Sequence, residues 1–134
     1  MRLDHVHVQV RDWAAALRWL GDVFDLRPAA AFSHWAAIPG GPVFTTDADG
    51  RHALAVFEGD AAADGDHTIG FCASAPEFRA FLARLPALGL TDRFGKPVTG
   101  ASVVDHDGAW SLYFVDPDGN RFELTTYEDP GAAR

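Results

Sequence analysis

Arg2-Leu-Asp-His-Val-His-Val-Gln-Val-Arg-Asp12 decides how the rest of the chain is read. Val6, Val8 and Val10 alternate with His5, His7 and Gln9, the two-residue period of a strand with one apolar and one polar face. Asp12 is placed to cap a helix starting at Trp13, whose apolar residues recur at helical spacing to Leu20 and onward through Phe24. Asp25 to Pro28 marks its end. Residues 29–38, 42–46 and 51–58 then read as three short strands, separated by Pro39-Gly40-Gly41-Pro42 and Asp47-Ala48-Asp49-Gly50. The order is βαβββ.

The same order returns in the second half. After a polar connector at 59–65, Asp66-His-Thr-Ile-Gly-Phe71 opens a strand, and Ser74-Ala-Pro-Glu77 is a capping box with proline in the first turn of a helix. That helix runs to about Leu88 and closes near Gly89. Strands are expected near 92–98, 101–106, 109–115 and 120–127, with Asp116-Pro-Asp-Gly119 as the clearest hairpin turn. His5 precedes its helix cap Asp12 by seven positions, and His67 precedes Ser74 by seven, so a repeat is the simplest account. The expectation is a single α+β domain of two modules, 1–58 and 66–127, with a tail at 128–134. Neither half can cover its own sheet, so the two βαβββ units should pair as a curved mixed-sheet cup with helices outside.

Composition narrows the function. The 134 residues suit one compact domain. With 48% apolar and 22% charged residues, disorder and fibrous classes are excluded. Nineteen acidic against eleven basic residues give a net charge of -8, the wrong sign for a phosphate-backbone binder, so no nucleic-acid partner is expected. No apolar run is long enough to span a bilayer, and no secretory core precedes the first strand, which points to a cytoplasmic protein away from membranes. Cys72 is the sole cysteine, so an internal disulfide and a Cys-rich zinc site are both excluded.

Six histidines remain, and two occupy equivalent strand positions. On the last strand, Phe122, Leu124 and Thr126 share one face, leaving Arg121, Glu123, Thr125 and Tyr127 on the other. His5, His67 and Glu123 could converge on a divalent cation and leave coordination positions open, as in two-His-one-carboxylate iron sites. The same pattern is met by two half-buried strand histidines satisfied by neighbours and an ordinary surface glutamate.

Leu3-Asp-His-Val6, the helix after Arg11-Asp12, Asp66-His-Thr-Ile-Gly-Phe71 and above all Ser111-Leu-Tyr-Phe-Val-Asp-Pro-Asp-Gly-Asn-Arg-Phe-Glu123 resemble the vicinal-oxygen-chelate superfamily. It includes glyoxalase I, type I extradiol dioxygenases, fosfomycin-resistance proteins and bleomycin-binding proteins. The resemblance covers nearly the whole chain. It implies paired βαβββ modules around a divalent metal, with His5, His67 and Glu123 at the ligand positions. Extradiol dioxygenases also carry a His about fifteen positions before the second metal His, a Tyr ten before the Glu, and a His at a nearby strand tip. His52, Tyr113 and His106 match these, the last two positions out of strict spacing. The resemblance thus implies Fe(II)-dependent ring opening of a catechol-like substrate, with His52, His106 and Tyr113 catalytic and Mn(II), Ni(II) or Zn(II) as alternative metals. His7, Phe71, Trp110, Ser111 and Tyr127 would line the pocket, with Trp35 a further apolar wall; His34 has no assigned role.

Other branches fit less well. Glyoxalase I needs a fourth ligand, for which Glu58 is the one candidate, and a glutathione site, for which there is no basic cluster. Fosfomycin transferases need cations that Val103 to Trp110 lacks, although Ser111 and Tyr113 match their substrate contacts. A metal-free small-molecule binder of the bleomycin-resistance sort usually lacks the triad. The expected assembly is a homodimer, with the cup closed within one chain or between exchanged modules.

Overall fold

The structure is a computed structural model that describes residues 1–60 and 67–131, so most of the connector and the last three residues lie outside the described part. The chain divides into two compact units, Met1–Gly65 and Asp66–Arg134. Each carries one four-stranded mixed sheet and a principal helix, an α+β arrangement.

In the first unit the elements are β1 (Val6–Val10), α1 (Trp13–Phe24), β2 (Arg27–Pro28), α2 (Ser33–Ala36), β3 (Val43–Thr46) and β4 (His52–Glu58). The sheet order is β1-β4-β3-β2, with β1 parallel to β4 and the other pairs antiparallel. Asp12 caps α1 by accepting from Ala15 N–H at 2.9 Å, and Asp25, left-handed at φ 55°, ends it. α1 lies over β4: Trp13 Nε1 donates to the Val56 carbonyl at 3.0 Å. Val8, Val10, Leu20, Leu54 and Val56 are buried on that side, each such aliphatic side chain contributing about 1.5–3 kcal/mol on leaving water.

Residues 29–38 do not form the expected strand. They hold a 3-10 turn, Ala30–Phe32, followed by the short helix α2. The run is alanine-rich and lacks period-two alternation, so local propensity favours a helical path. Phe32 and Trp35 stack at 4.4 Å and pack on Phe44, with Ala29, Ala55 and Phe57 in the same cluster on the sheet face away from α1.

The second unit contains β5 (Ile69–Cys72), α3 (Ala75–Leu88), β6 (Val104–Asp105), β7 (Trp110–Val115) and β8 (Arg121–Thr126), ordered β5-β8-β7-β6. The Ser74/Glu77 capping box forms as the sequence predicts, and Gly89 at φ 60° closes the helix, a conformation that costs a residue without Cβ least. Phe78, Phe81 and Leu85 of α3 are buried, and the Phe81 ring stacks on Phe114 at 5.8 Å. Leu112, Phe114, Phe122 and Leu124 therefore face the helix.

The strands expected at 92–98 and 101–106 shrink. Thr91 makes isolated bridges to Pro97 and Val115, Asp92 to Gly95 is a turn closed by Asp92 Oδ1, and Gly100–Ser102 is a 3-10 turn before the two-residue β6. Asp, Gly and Pro at these positions favour turns over ladder pairing.

Candidate functional site

On β7 and β8, alternation leaves Ser111, Tyr113, Arg121, Glu123 and Thr125 on the face away from α3. Tyr113 pairs across the ladder with Glu123, and Ser111 with Thr125. Ser111 Oγ donates to Glu123 Oε1 at 2.6 Å and lies 3.0 Å from Thr125 Oγ1. The Tyr113 hydroxyl donates to the same Oε1 at 3.2 Å, and His106 Nε2 stands 3.1 Å from that hydroxyl. The phenol has one proton and two acceptors in reach, so it can give the proton to Glu123 while His106 donates to it, or turn it toward His106. Partial burial, and then the adjacent Glu123 carboxylate, push the Tyr113 phenol above its ordinary value of 10.0, against the opposing Ser111 contact. Tyr113 is therefore a neutral donor at physiological pH.

His106 owes its position to the tip of the β6–β7 hairpin. Its N–H donates to the Ala109 carbonyl at 2.8 Å, while Asp107 is left-handed at φ 59° with its N–H on Asp105 Oδ1. A cleft of about 280 Å³ opens beside this array, lined by Thr68, Asp92, Arg93, Phe94, Tyr113 and Arg121 among others.

β5 runs parallel to β8 with Gly70 opposite Glu123. Gly70 and Cys72 are exposed on the Glu123 face, while Ile69 and Phe71 are half-buried on the other, with Phe71 6.3 Å from Phe122. Continuing the alternation backwards puts Thr68 on the Glu123 face and His67 on the opposite one. On that count His67 misses the Glu123 face by one residue. The reason lies in the strand-to-helix connection: Val10, two before cap Asp12, is buried on the helix side, whereas Cys72, two before cap Ser74, is exposed on the Glu123 side. On that count the second unit offers Glu123 a hydroxyl in place of an imidazole, a donor that does not suit a two-His-one-carboxylate ion, and among the described residues no three His, Cys, Asp or Glu side chains gather as a ligand group. Two expected pocket residues, Phe71 and Trp110, also lie on the helix side, Trp110 pairing with Thr126 and sharing the parity of Leu112. Tyr127 is exposed just beyond β8.

The first unit holds a second array. Asp4 Oδ2 lies 2.9 Å from His5 Nδ1 and 3.2 Å from His52 Nδ1, and these contacts, His5 first, hold its carboxyl below the usual 3.8. The His5 ring is 4.7 Å from Phe44, and His52 is 5.0 Å from Phe32. A β-bulge brings His52 here. Between the Phe44–Ala55 and Thr46–His52 pairs, β3 advances two residues and β4 three, and the Thr45 hydroxyl fills the broken ladder by bonding Leu54 N–H and C=O. Glu58, the fourth-ligand candidate, points to the helix side and accepts from the Trp13 N–H at 3.0 Å, so it is a helix-end partner and not a fourth ligand. His7 packs on Phe57 at 4.0 Å, and His34 meets Trp35 edge-on at 5.4 Å. Asp4 and Thr68 escape a sequence reading that looks for histidines. The neighbour of His5 would have found Asp4, whereas Thr68 depends on the β5–β8 register, for which the sequence carries no signal.

The chain belongs to the glyoxalase/bleomycin resistance protein/dioxygenase superfamily, whose model matches residues 2–124. Similar solved structures include the fosfomycin resistance protein FosX from Mesorhizobium loti, with 26% identity, TM-score 0.64, and coverage of 93% of this chain and 91% of that one. FosX from Listeria monocytogenes has 24% identity, TM-score 0.67, and coverage of 94% and 90%. A mutant of the Listeria protein was solved with Mn(II) and 1S,2S-dihydroxypropylphosphonic acid, at 21% identity, TM-score 0.59 and coverage of 93% and 91%. These are fosfomycin resistance proteins, a branch the sequence reading ranked behind the extradiol dioxygenases. No protein of curated function matches the chain.

Proposed function

We propose that the chain is an enzyme that takes a small, oxygen-rich substrate on the Glu123 face of its second unit and acts on it by proton transfer through Tyr113. The observation that supports this most directly is the Tyr113 hydroxyl, within hydrogen-bond reach of both His106 Nε2 and Glu123 Oε1 at the wall of a cleft. A neutral phenol between an imidazole and a carboxylate gives a proton to a substrate oxygen and regains one from its neighbour, the work of a general acid–base pair. Ser111 holds Glu123 in place, while Arg93 and Arg121 supply positive charge to a substrate oxyanion.

Steady-state turnover with catechols, hemithioacetals and small phosphonates tests the reading in wild type and Tyr113→Phe. The expected result is turnover of one class, with kcat lowered about 10²–10⁴-fold by the substitution and KM little changed. Turnover of none, or an unimpaired Tyr113→Phe, overturns it.

Fe(II)-dependent catechol cleavage is the specific form suggested by the extradiol resemblance, and the meeting of His106 with Tyr113 favours it. It also needs His5, His67 and Glu123 as ligands, within one chain or across a homodimer, and the register of β5 argues against His67. Oxygen uptake after anaerobic Fe(II) loading separates it from chemistry that leaves dioxygen untouched.

A further inference from the structure

We infer that the second unit carries the hydroxyl of Thr68 where a metal-binding imidazole would face Glu123, and that Glu123 meets hydrogen-bond donors of the ligand itself in place of a divalent cation. The ladder sets the geometry. Gly70 lies opposite Glu123, and the alternation of β5 carried back past its first residue, Ile69, gives Thr68 the Glu123 face and His67 the face of Ile69 and Phe71. Thr68 also lines the cleft near Tyr113 and Arg121, together with Val115, Phe114 and Phe122 at the same end of the sheet.

The state of the carboxylate points the same way. Oε1 already accepts from Ser111 and Tyr113, and a Cβ placed on Gly70 would lie 3.7 Å from Oε2. The bare glycine strand thus leaves Oε2 approachable to a ligand O–H. A neutral threonine hydroxyl is a poor ligand for zinc, iron or manganese, which take imidazole and carboxylate, yet it both donates and accepts hydrogen bonds. The ligand chemistry this face fits is a small molecule with adjacent hydroxyl groups, one donating to Glu123 Oε2 and its neighbour meeting Thr68 or Tyr113.

Metal titration of the full chain by calorimetry, with Zn(II) and Mn(II), decides the matter without reading turnover, so its outcome is separate from that of the Tyr113→Phe kinetics. Wild type should show no tight one-to-one ion that depends on Glu123, and His67→Ala should titrate like wild type. Thr68→His, checked for folding by circular dichroism, should gain Zn(II) affinity by at least about tenfold, the scale on which even a ligand's outer partner shifts metal binding. The gain should vanish when Glu123→Gln is added. Tight stoichiometric binding by wild type that Glu123→Gln or His67→Ala abolishes overturns the inference, as does a folded Thr68→His variant with no gain.

Discussion

Ser111 Oγ stands 2.6 Å from Glu123 Oε1, two strand residues on the sheet face that α3 does not cover. Ser111 is fully buried, so its hydroxyl has little recourse to water, and the contact is a hydrogen bond to a charged acceptor. Ser111→Ala should lower unfolding free energy by roughly 1.5–3 kcal/mol, the range for hydrogen bonds to charged groups, as measured by urea denaturation. A loss under about 0.5 kcal/mol, the usual size of a surface substitution, would mean that Glu123 is held by something else.

The phenol of Tyr113 offers a pH test. Folding raises its pKa, so the folded chain binds that proton more tightly than the unfolded one. The stability it contributes is whole below the ordinary tyrosine value of 10.0 and is lost as pH rises from there through the raised folded value. The chain has two tyrosines, so a Tyr127→Phe background leaves Tyr113 as the only phenolate signal in the near ultraviolet. Its midpoint should lie above 10.0 and move down when Glu123→Gln removes the neighbouring charge. An unmoved midpoint would show that the carboxylate does not act on the phenol.

Asp116 anchors the β7–β8 turn with both carboxylate oxygens. Oδ1 accepts from the N–H groups of Asp118 at 2.9 Å and Asn120 at 2.8 Å, and Oδ2 from Asn120 Nδ2 at 2.8 Å. Burial pushes its carboxyl above the usual 3.8 in spite of those donors. Asp116→Ala strands donors at a buried turn, and thermal denaturation should register a loss of about 1–3 kcal/mol. Little change would mean that Pro117 and Gly119 form the turn unaided.

What the sequence makes legible is local. The Asp12 and Ser74 caps, the Asp116 to Gly119 turn and the apolar stripe Phe122-Leu124-Thr126 are each set within a few residues, and both long helices begin and end where those signals predict. Ala29 to Ile38 misleads because a short apolar run without alternation satisfies strand and helix alike. The candidate site is half legible: parity along β8 places Glu123, but the partner of Glu123 on β5 depends on a ladder register that counting from the helix cap misses by one. The approach of His106 to Tyr113 depends on hairpin geometry and is not visible in spacing.

The extra residue in β4 makes the polar and apolar assignments of one strand independent of each other. Leu54 and Val56 stay with α1 while His52, which simple alternation would send the same way, turns toward Asp4. Deleting Ala53 would restore unbroken pairing and leave His52 opposite Thr46, on the face of Phe44 and Ala55. The bulge therefore absorbs one amino acid of length without changing which side of the sheet the histidine serves.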